Sequence, residues 1–129
     1  MLKKRRLSVR QQKLPNFSLG ATGETRATTY LISHNYRILE RNIRLGTREI
    51  DIIATDPVTL EIVFVEVKTR SSDQFGSPSV AVTRKKLNSL RQVAREYVRT
   101  RHNRTDFRFD IITVLPNAID HYQNITWNF

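Results

Sequence analysis

The stretch Glu49–Arg70, EIDIIATDPVTLEIVFVEVKTR, constrains this chain more than any other part of it. Two runs of β-branched residues flank Asp56-Pro57, a turn dipeptide, and together they read as a β-hairpin. Charges interrupt both runs: Asp51 precedes Ile52 and Ile53, and Glu66 and Lys68 alternate with Val65 and Val67. Taking a charged group into a half-buried sheet is costly unless a partner or a metal compensates, so charges at these positions point to a site. If the strands pair about Pro57-Val58, Asp51 lies across from Phe64; if the loop is two residues longer, it lies across from Glu66. Either register puts Asp51, Glu66 and Lys68 on one face, and a slip of one residue would separate them.

At 129 residues the chain fits one domain with a single core. It has no cysteine, which excludes disulfides, thiolate nucleophiles and cysteine-ligated zinc and suits a reducing cytoplasm. Apolar runs such as Ile62–Val65 are far too short to span a bilayer, and no apolar segment follows the basic start as a secretory signal requires. A cytoplasmic protein without a membrane partner is expected. Lys and Arg total 22 against 12 Asp and Glu, a formal net charge of +10, so the natural partner is a polyanion, nucleic acid above all.

Residues 1–18 carry Lys3, Lys4, Arg5, Arg6, Arg10 and Lys13 with no acid and no sustained periodicity, and read as a flexible basic arm ahead of a single domain over 19–129. Gly20 to His34 reads as a helix, with Ala27, Tyr30, Leu31 and His34 at three-to-four spacing and Glu24 on the same stripe. Tyr36 to Arg44 makes a first strand, and Leu45-Gly46-Thr47 turns into the central hairpin. Ser71 to Ser79, with Gly76 and Pro78, is a loop. From Val82 to Arg101 a second helix sets Leu87, Leu90, Ala94 and Tyr97 on one side, with Lys85, Arg91, Arg95 and Arg99 mostly elsewhere. Phe107 to Leu115 is a further strand ended by Pro116, and Ile125 to Phe129 offers a short edge strand. The order predicts an α/β domain, one mixed central sheet with flanking helices.

An acidic pair plus a lysine is what metal-assisted phosphodiester hydrolysis needs. Asp51 and Glu66 would supply hard oxygen ligands for Mg²⁺, with the Val67 carbonyl as a further ligand. Lys68 would stabilise developing negative charge or orient the attacking water. The plainer reading makes Glu66 and Lys68 a surface ion pair and Asp51 the cap of a bulge. Phosphate contacts are expected from Lys3, Lys4, Arg5 and Arg6 of the arm, from Lys85, Arg91 and Arg95 of the second helix, and from Arg48 and Arg70 beside the hairpin. His34, His102 and His121 lack ligand spacing and read as helix-end or loop residues; Asp110 reads as the partner of a basic residue, and Trp127 as a packing residue.

Asp51 followed by Glu66-Val67-Lys68 on the next strand resembles the PD-(D/E)xK nuclease superfamily. More narrowly, Gly20-x-x-Gly23-Glu24-x-x-Ala27, Glu49-Ile50-Asp51-Ile52-Ile53-Ala54, Val63 to Arg70, Phe75-Gly76-x-Pro78 and Arg108-Phe109-Asp110 resemble the YraN-type family of small bacterial endonuclease-like proteins. The resemblance covers residues 20 to 115 and implies a restriction-endonuclease-like fold. It further implies a core site of Asp51, Glu66 and Lys68, with Glu24 as the helix-borne carboxylate of resolvase-like members. The chain departs from the pattern at Arg48-Glu49, where Gly-Glu is usual. The expected function is a structure-selective DNA endonuclease using Mg²⁺ or Mn²⁺, with a homodimer attractive because junction cutting needs two sites. The alternative is a non-catalytic nucleic-acid-binding protein on the same fold, supporting recombination, repair or DNA uptake. An RNA- or ribosome-binding basic protein would leave the acids within the strands unexplained.

Overall fold

Two successive hairpins make one half of the sheet. The structure, a computed structural model, describes residues 3–8, 22–71 and 84–125, with the backbone alone for residues 3–8, 84, 86 and 87. Strand β2 (Arg37–Leu45) turns through Gly46-Thr47 into β3 (Arg48–Thr55), closing with Leu45 opposite Arg48. Gly46 takes a φ of 61° at the first central position, the pattern of a II′ turn that matches strand twist. Strand β4 (Ile62–Thr69) pairs back on β3 with Ile52 opposite Val65 and Thr55 opposite Ile62. The Asp56 N–H bonds the Glu61 carbonyl at 3.0 Å, so the loop is Pro57 to Leu60 and the longer of the two expected loops is the real one. Asp56 builds that turn itself, since its Oδ1 accepts the N–H groups of Val58 at 2.7 Å and Thr59 at 3.1 Å.

Helix α1 (Gly23–Ser33) is capped by Thr22, whose Oγ1 accepts the Thr25 N–H at 3.2 Å, and it stops where Asn35 turns left-handed at φ 68°. Helix α2 (Arg84–His102) bridges β4 to β5 (Phe107–Val114), which runs parallel to β4 with Glu66 opposite Ile111. A parallel pair needs such a crossover. Strand β6 (Ala118–Gln123) returns antiparallel on β5, and β1 (Lys3–Ser8) pairs antiparallel with β6. Among the described residues the sheet has six strands in the order β1-β6-β5-β4-β3-β2.

Alternation along the strands sorts the core into two layers. Under α1, Ala27, Tyr30 and Leu31 pack on Ile52, Val63, Val65 and Ile112. Under α2, Ala94, Tyr97 and Val98 pack on Ile53, Phe64, Phe109 and Ile111. A mixed sheet covered by helices is the expected α/β, restriction-endonuclease-like fold. Among the described residues no helix is long and apolar enough to cross a membrane.

One expectation needs correction. Lys3–Ser8, expected within an arm lacking regular structure, is an edge strand, because the outer edge of β6 offers unpaired backbone groups that even a basic segment can satisfy. Ala118–Gln123 is a strand that the sequence did not announce; of the strand expected over Ile125 to Phe129, Ile125 is buried and residues 126–129, with Trp127, lie outside the described residues. So do residues 9–21 and, of the loop expected over Ser71 to Ser79, all but Ser71.

Candidate active site at the fork of β3 and β4

The β3–β4 ladder ends at Ile52 and Val65. One residue further, the Asp51 carboxylate takes over from the backbone: its Oδ2 accepts the Val67 N–H at 2.8 Å. The strict alternation of β3 breaks at the same residue, with Ile50 and Ile53 in the α2 layer and Ile52 and Ala54 in the α1 layer. The strands therefore fork at Asp51, and its side chain reaches both ways. Glu66 and Lys68 alternate with Val65 and Val67 of the α1 layer, so they stand on the α2 side, while Asp51 serves both sides from the fork.

Helix α1 reaches the fork because its first residue is glycine. A Cβ on Gly23 would lie 2.2 Å from Thr69 Oγ1, so the start of the helix lies directly on the end of β4. The next residue is Glu24, and its carboxyl group meets that of Asp51. Burial is the main influence raising the Asp51 pKa; the Val67 N–H opposes it, while the Glu24 carboxyl, by its charge and close approach, and the Glu49 charge reinforce it. Glu24 thus reaches Asp51 from the first turn of α1.

Lys68 Nζ stands 3.8 Å from Glu66 Oε1, with the lysine side chain 19% exposed and the glutamate 48%. The pair is loose enough for both groups to engage something else. Asp51 and Glu66 share the wall of a cavity of about 340 Å³, with Arg44, Arg48 and Glu49 at its polar side and Phe64, Leu90 and Phe109 among its apolar lining. Arg44 is engaged with Glu49 at 2.9 Å, whereas the buried Nε of Arg48 has no hydrogen-bond partner among the described residues. Among those residues no three His, Asp or Glu side chains are gathered at metal-binding separation. The oxygen donors at the fork are therefore Asp51, Glu66 and the Val67 carbonyl, a set that suits Mg²⁺, which keeps several waters and needs one or two carboxylates.

The basic residues divide. Arg95 and Lys85 are exposed and Arg91 half-buried on α2, whose Leu90 borders the cavity. Arg70 is exposed just past β4, where its N–H bonds the Val114 carbonyl at 3.0 Å. Lys3, Lys4, Arg5 and Arg6 follow the backbone of β1, and their side chains lie outside the described residues.

Sequence reasoning missed a buried charge network beneath α1. Arg108, at 6% exposure, bonds Asp56 Oδ2 at 2.7 Å, the Asp110 carboxylate at 3.0 and 3.1 Å, and the Tyr36 hydroxyl at 3.1 Å. His121 is not a loop or helix-end residue as expected. It lies in β6, fully buried, with Nε2 at 2.8 Å from Asp110 Oδ2 and Nδ1 at 2.9 Å from the Tyr30 hydroxyl. An ionised carboxylate only accepts, so Nε2 carries the proton, and in the neutral ring Nδ1 accepts from Tyr30. Burial acts to raise Asp110, but His121 and Arg108 outweigh it and hold the carboxyl below its usual range. Asp110 pairs with a basic residue as expected, and His34 and His102 do end their helices. The signal for the network was present: Arg108 and Asp110 flank Phe109 in an apolar strand, the same anomaly that marks Asp51.

The family model described as "Uncharacterised protein family UPF0102" matches residues 23–114, which span the fork, α1, α2 and most of the sheet. A UPF0102 protein of Clostridium botulinum (strain Hall) is 46% identical over 107 residues, covering 81% of this chain and 85% of the relative. A UPF0102 protein of Geobacter metallireducens is 47% identical over 116 residues, covering 86% and 93%. With a match of this extent on a fold of this kind, the chain belongs to the UPF0102 family, the YraN family.

Proposed function

We propose that the chain is a metal-dependent DNA endonuclease that hydrolyses phosphodiester bonds at the fork of β3 and β4, selecting its substrate by DNA structure. The observation that carries this reading is the meeting of Asp51 with Glu24 at a break in the sheet, beside Glu66 and Lys68. A sheet that places acids together at the point where its own ladder stops incurs repulsion and loses hydrogen bonds, a cost typical of functional sites. Asp51, Glu66 and the Val67 carbonyl would hold Mg²⁺ or Mn²⁺. When bound, the ion polarises the phosphoryl oxygen and neutralises charge on the phosphate. Val67 fixes the Asp51 carboxylate through its N–H, so the ligand is oriented before substrate arrives. Lys68 lies partly withdrawn from solvent, where its charge would stabilise the negative charge that develops on the phosphate or steer the attacking water. Glu24 would accept a proton next to Asp51 or orient water there. Lys85, Arg91 and Arg95 of α2, with Arg70, would track the DNA backbone.

The test is a panel of linear, nicked, flapped and four-way-junction DNAs incubated with Mg²⁺ or Mn²⁺. Metal-dependent cleavage that prefers one form is expected. Binding of DNA without cleavage of any form would overturn the enzyme reading in favour of a binding protein.

A further inference from the structure

Arg48 presents an anomaly that the nuclease chemistry leaves unused. Its Nε is buried, and among the described residues it has no hydrogen-bond partner. A guanidinium cannot shed its proton, so a buried N–H of this kind is a persistent unmet demand for an acceptor. Acids are close at hand and yet do not meet it. Glu49, its neighbour in sequence, is engaged with Arg44 at 2.9 Å, and Asp51 and Glu66, which share the cavity wall with Arg48, make no ion pair with it. Its position is well determined, because it closes the II′ turn opposite Leu45 at the root of β3. The chain thus holds a planar, permanently charged group on the wall of a cavity that Glu49, Asp51 and Glu66 also line, three residues before Asp51, with one buried donor unpaired among the described residues.

We propose that Arg48 binds a non-bridging phosphate oxygen of the DNA strand entering this cavity and so positions the backbone against Asp51 and Glu66. The proposal rests on the nucleic-acid reading above and adds to it a specific positioning residue. Guanidinium is suited to the task because its donors match phosphate geometry and because it is less strongly hydrated than an ammonium group. The acids on the same wall would otherwise repel the strand, so one fixed cation among them sets where a phosphate can sit. Nothing in the overall charge of +10 requires this, since exposed arginines on α2 add affinity without fixing register.

The test is DNA binding in metal-free buffer, followed by fluorescence anisotropy over a series of salt concentrations. Labelled single-stranded and duplex oligonucleotides are titrated with wild type, Arg48→Ala, Arg48→Gln, Arg48→Lys and Arg44→Ala. Arg48→Ala and Arg48→Gln should each weaken binding about 10-fold at low salt and flatten the log K against log salt slope by about 0.7 for single strands and about 0.9 for duplex. Arg48→Lys should keep the slope, and Arg44→Ala, whose cation is paired with Glu49, should change it less. Should Arg48→Ala not fold, Arg48→Gln, which keeps the length of the side chain, carries the comparison. Wild-type affinity and slope in the neutral Arg48 variants would overturn the phosphate contact while leaving the nucleic-acid reading in place. A wild-type protein that binds neither oligonucleotide would overturn both.

Discussion

Replacing Arg108 with leucine tests whether the buried network holds the sheet together. The substitution takes the cation from Glu61, 31% exposed, and from two buried carboxylates, Asp56 with a side chain 7% exposed and Asp110 at 0%. Each keeps part of its support: Asp56 the Val58 and Thr59 N–H groups, Asp110 His121 and the Asn124 N–H at 2.9 Å. Breaking a buried pair by removing one partner typically costs about 3–5 kcal/mol. A domain of this size has a total stability of about 5–15 kcal/mol, so the variant should fold but melt early. In urea, with a slope of about 2 kcal/mol per molar, the midpoint should fall by roughly 2 M. The effect has a pH signature. Burial would raise Asp56, yet the Val58 N–H, Arg108 and the Thr59 N–H bring it down from the usual 3.8 to about 2. That depression contributes on the order of 2 kcal/mol at neutral pH. A folded pKa below the unfolded value means the contribution is complete above about 4 and is lost as pH falls towards about 2. The gap between wild type and Arg108→Leu should therefore be widest at pH 7 and narrow below pH 4. Urea unfolding followed by circular dichroism at pH 7 and pH 3 reads both quantities. A loss under about 1 kcal/mol at pH 7, or a gap independent of pH, would show that the network contributes little.

Gly23→Ala should cost about 1–3 kcal/mol through the 2.2 Å approach to Thr69 Oγ1, and adding Thr69→Ala should recover most of it in thermal melts. Asp51→Asn keeps an acceptor for the Val67 N–H while removing a charge that burial and Glu24 disfavour, so it should raise the metal-free Tm by roughly 2–4 °C at pH 7. Because the folded Asp51 pKa is raised, that gain should shrink as pH falls through the folded pKa and be gone by about pH 4, the ordinary carboxylate value, and no gain at pH 7 would contradict the strained-carboxylate reading. Tyr97→Phe removes the hydroxyl that donates to Glu40 and ties α2 to β2, and should cost about 1–2 kcal/mol. In the Glu40→Gln background the same change should cost less, which a double-mutant cycle by denaturation measures.

The hairpin of β3 and β4 was legible because its β-branched runs and Asp-Pro turn are local signals. Its register was narrowed to two alternatives and no further, since loop length depends on the Asp56 side chain binding its own turn and leaving Leu60 at φ 65°. The fork at Asp51 was not legible. Ladder termination is a property of two strands, and alternation read along one of them predicts a single face. Strand β6 was hidden by Asp120, His121 and Gln123, which read as polar surface until Asp110, Arg108 and Tyr36 arrive to pair with the latter two or with each other. For β1, the hexapeptide KKRRLS carries no apolar alternation, and its strand state comes from the exposed edge it meets. Glu24, by contrast, stands out in the sequence as a lone acid on an apolar helical stripe, and the close approach of Gly23 to β4 brings it to Asp51.

The central claim is that the charges at the fork perform hydrolysis, and single-turnover cleavage of a four-way junction in Mg²⁺ or Mn²⁺ tests it most directly. Wild type, Asp51→Ala, Glu66→Ala and Lys68→Ala are compared at equal concentration, with folding checked by circular dichroism and junction binding by anisotropy. The account predicts metal-dependent cleavage by wild type and a loss of about 10²-fold or more in each variant while fold and binding persist. Undiminished cleavage by Asp51→Ala, or a wild type that binds the junction and never cuts it, would contradict it.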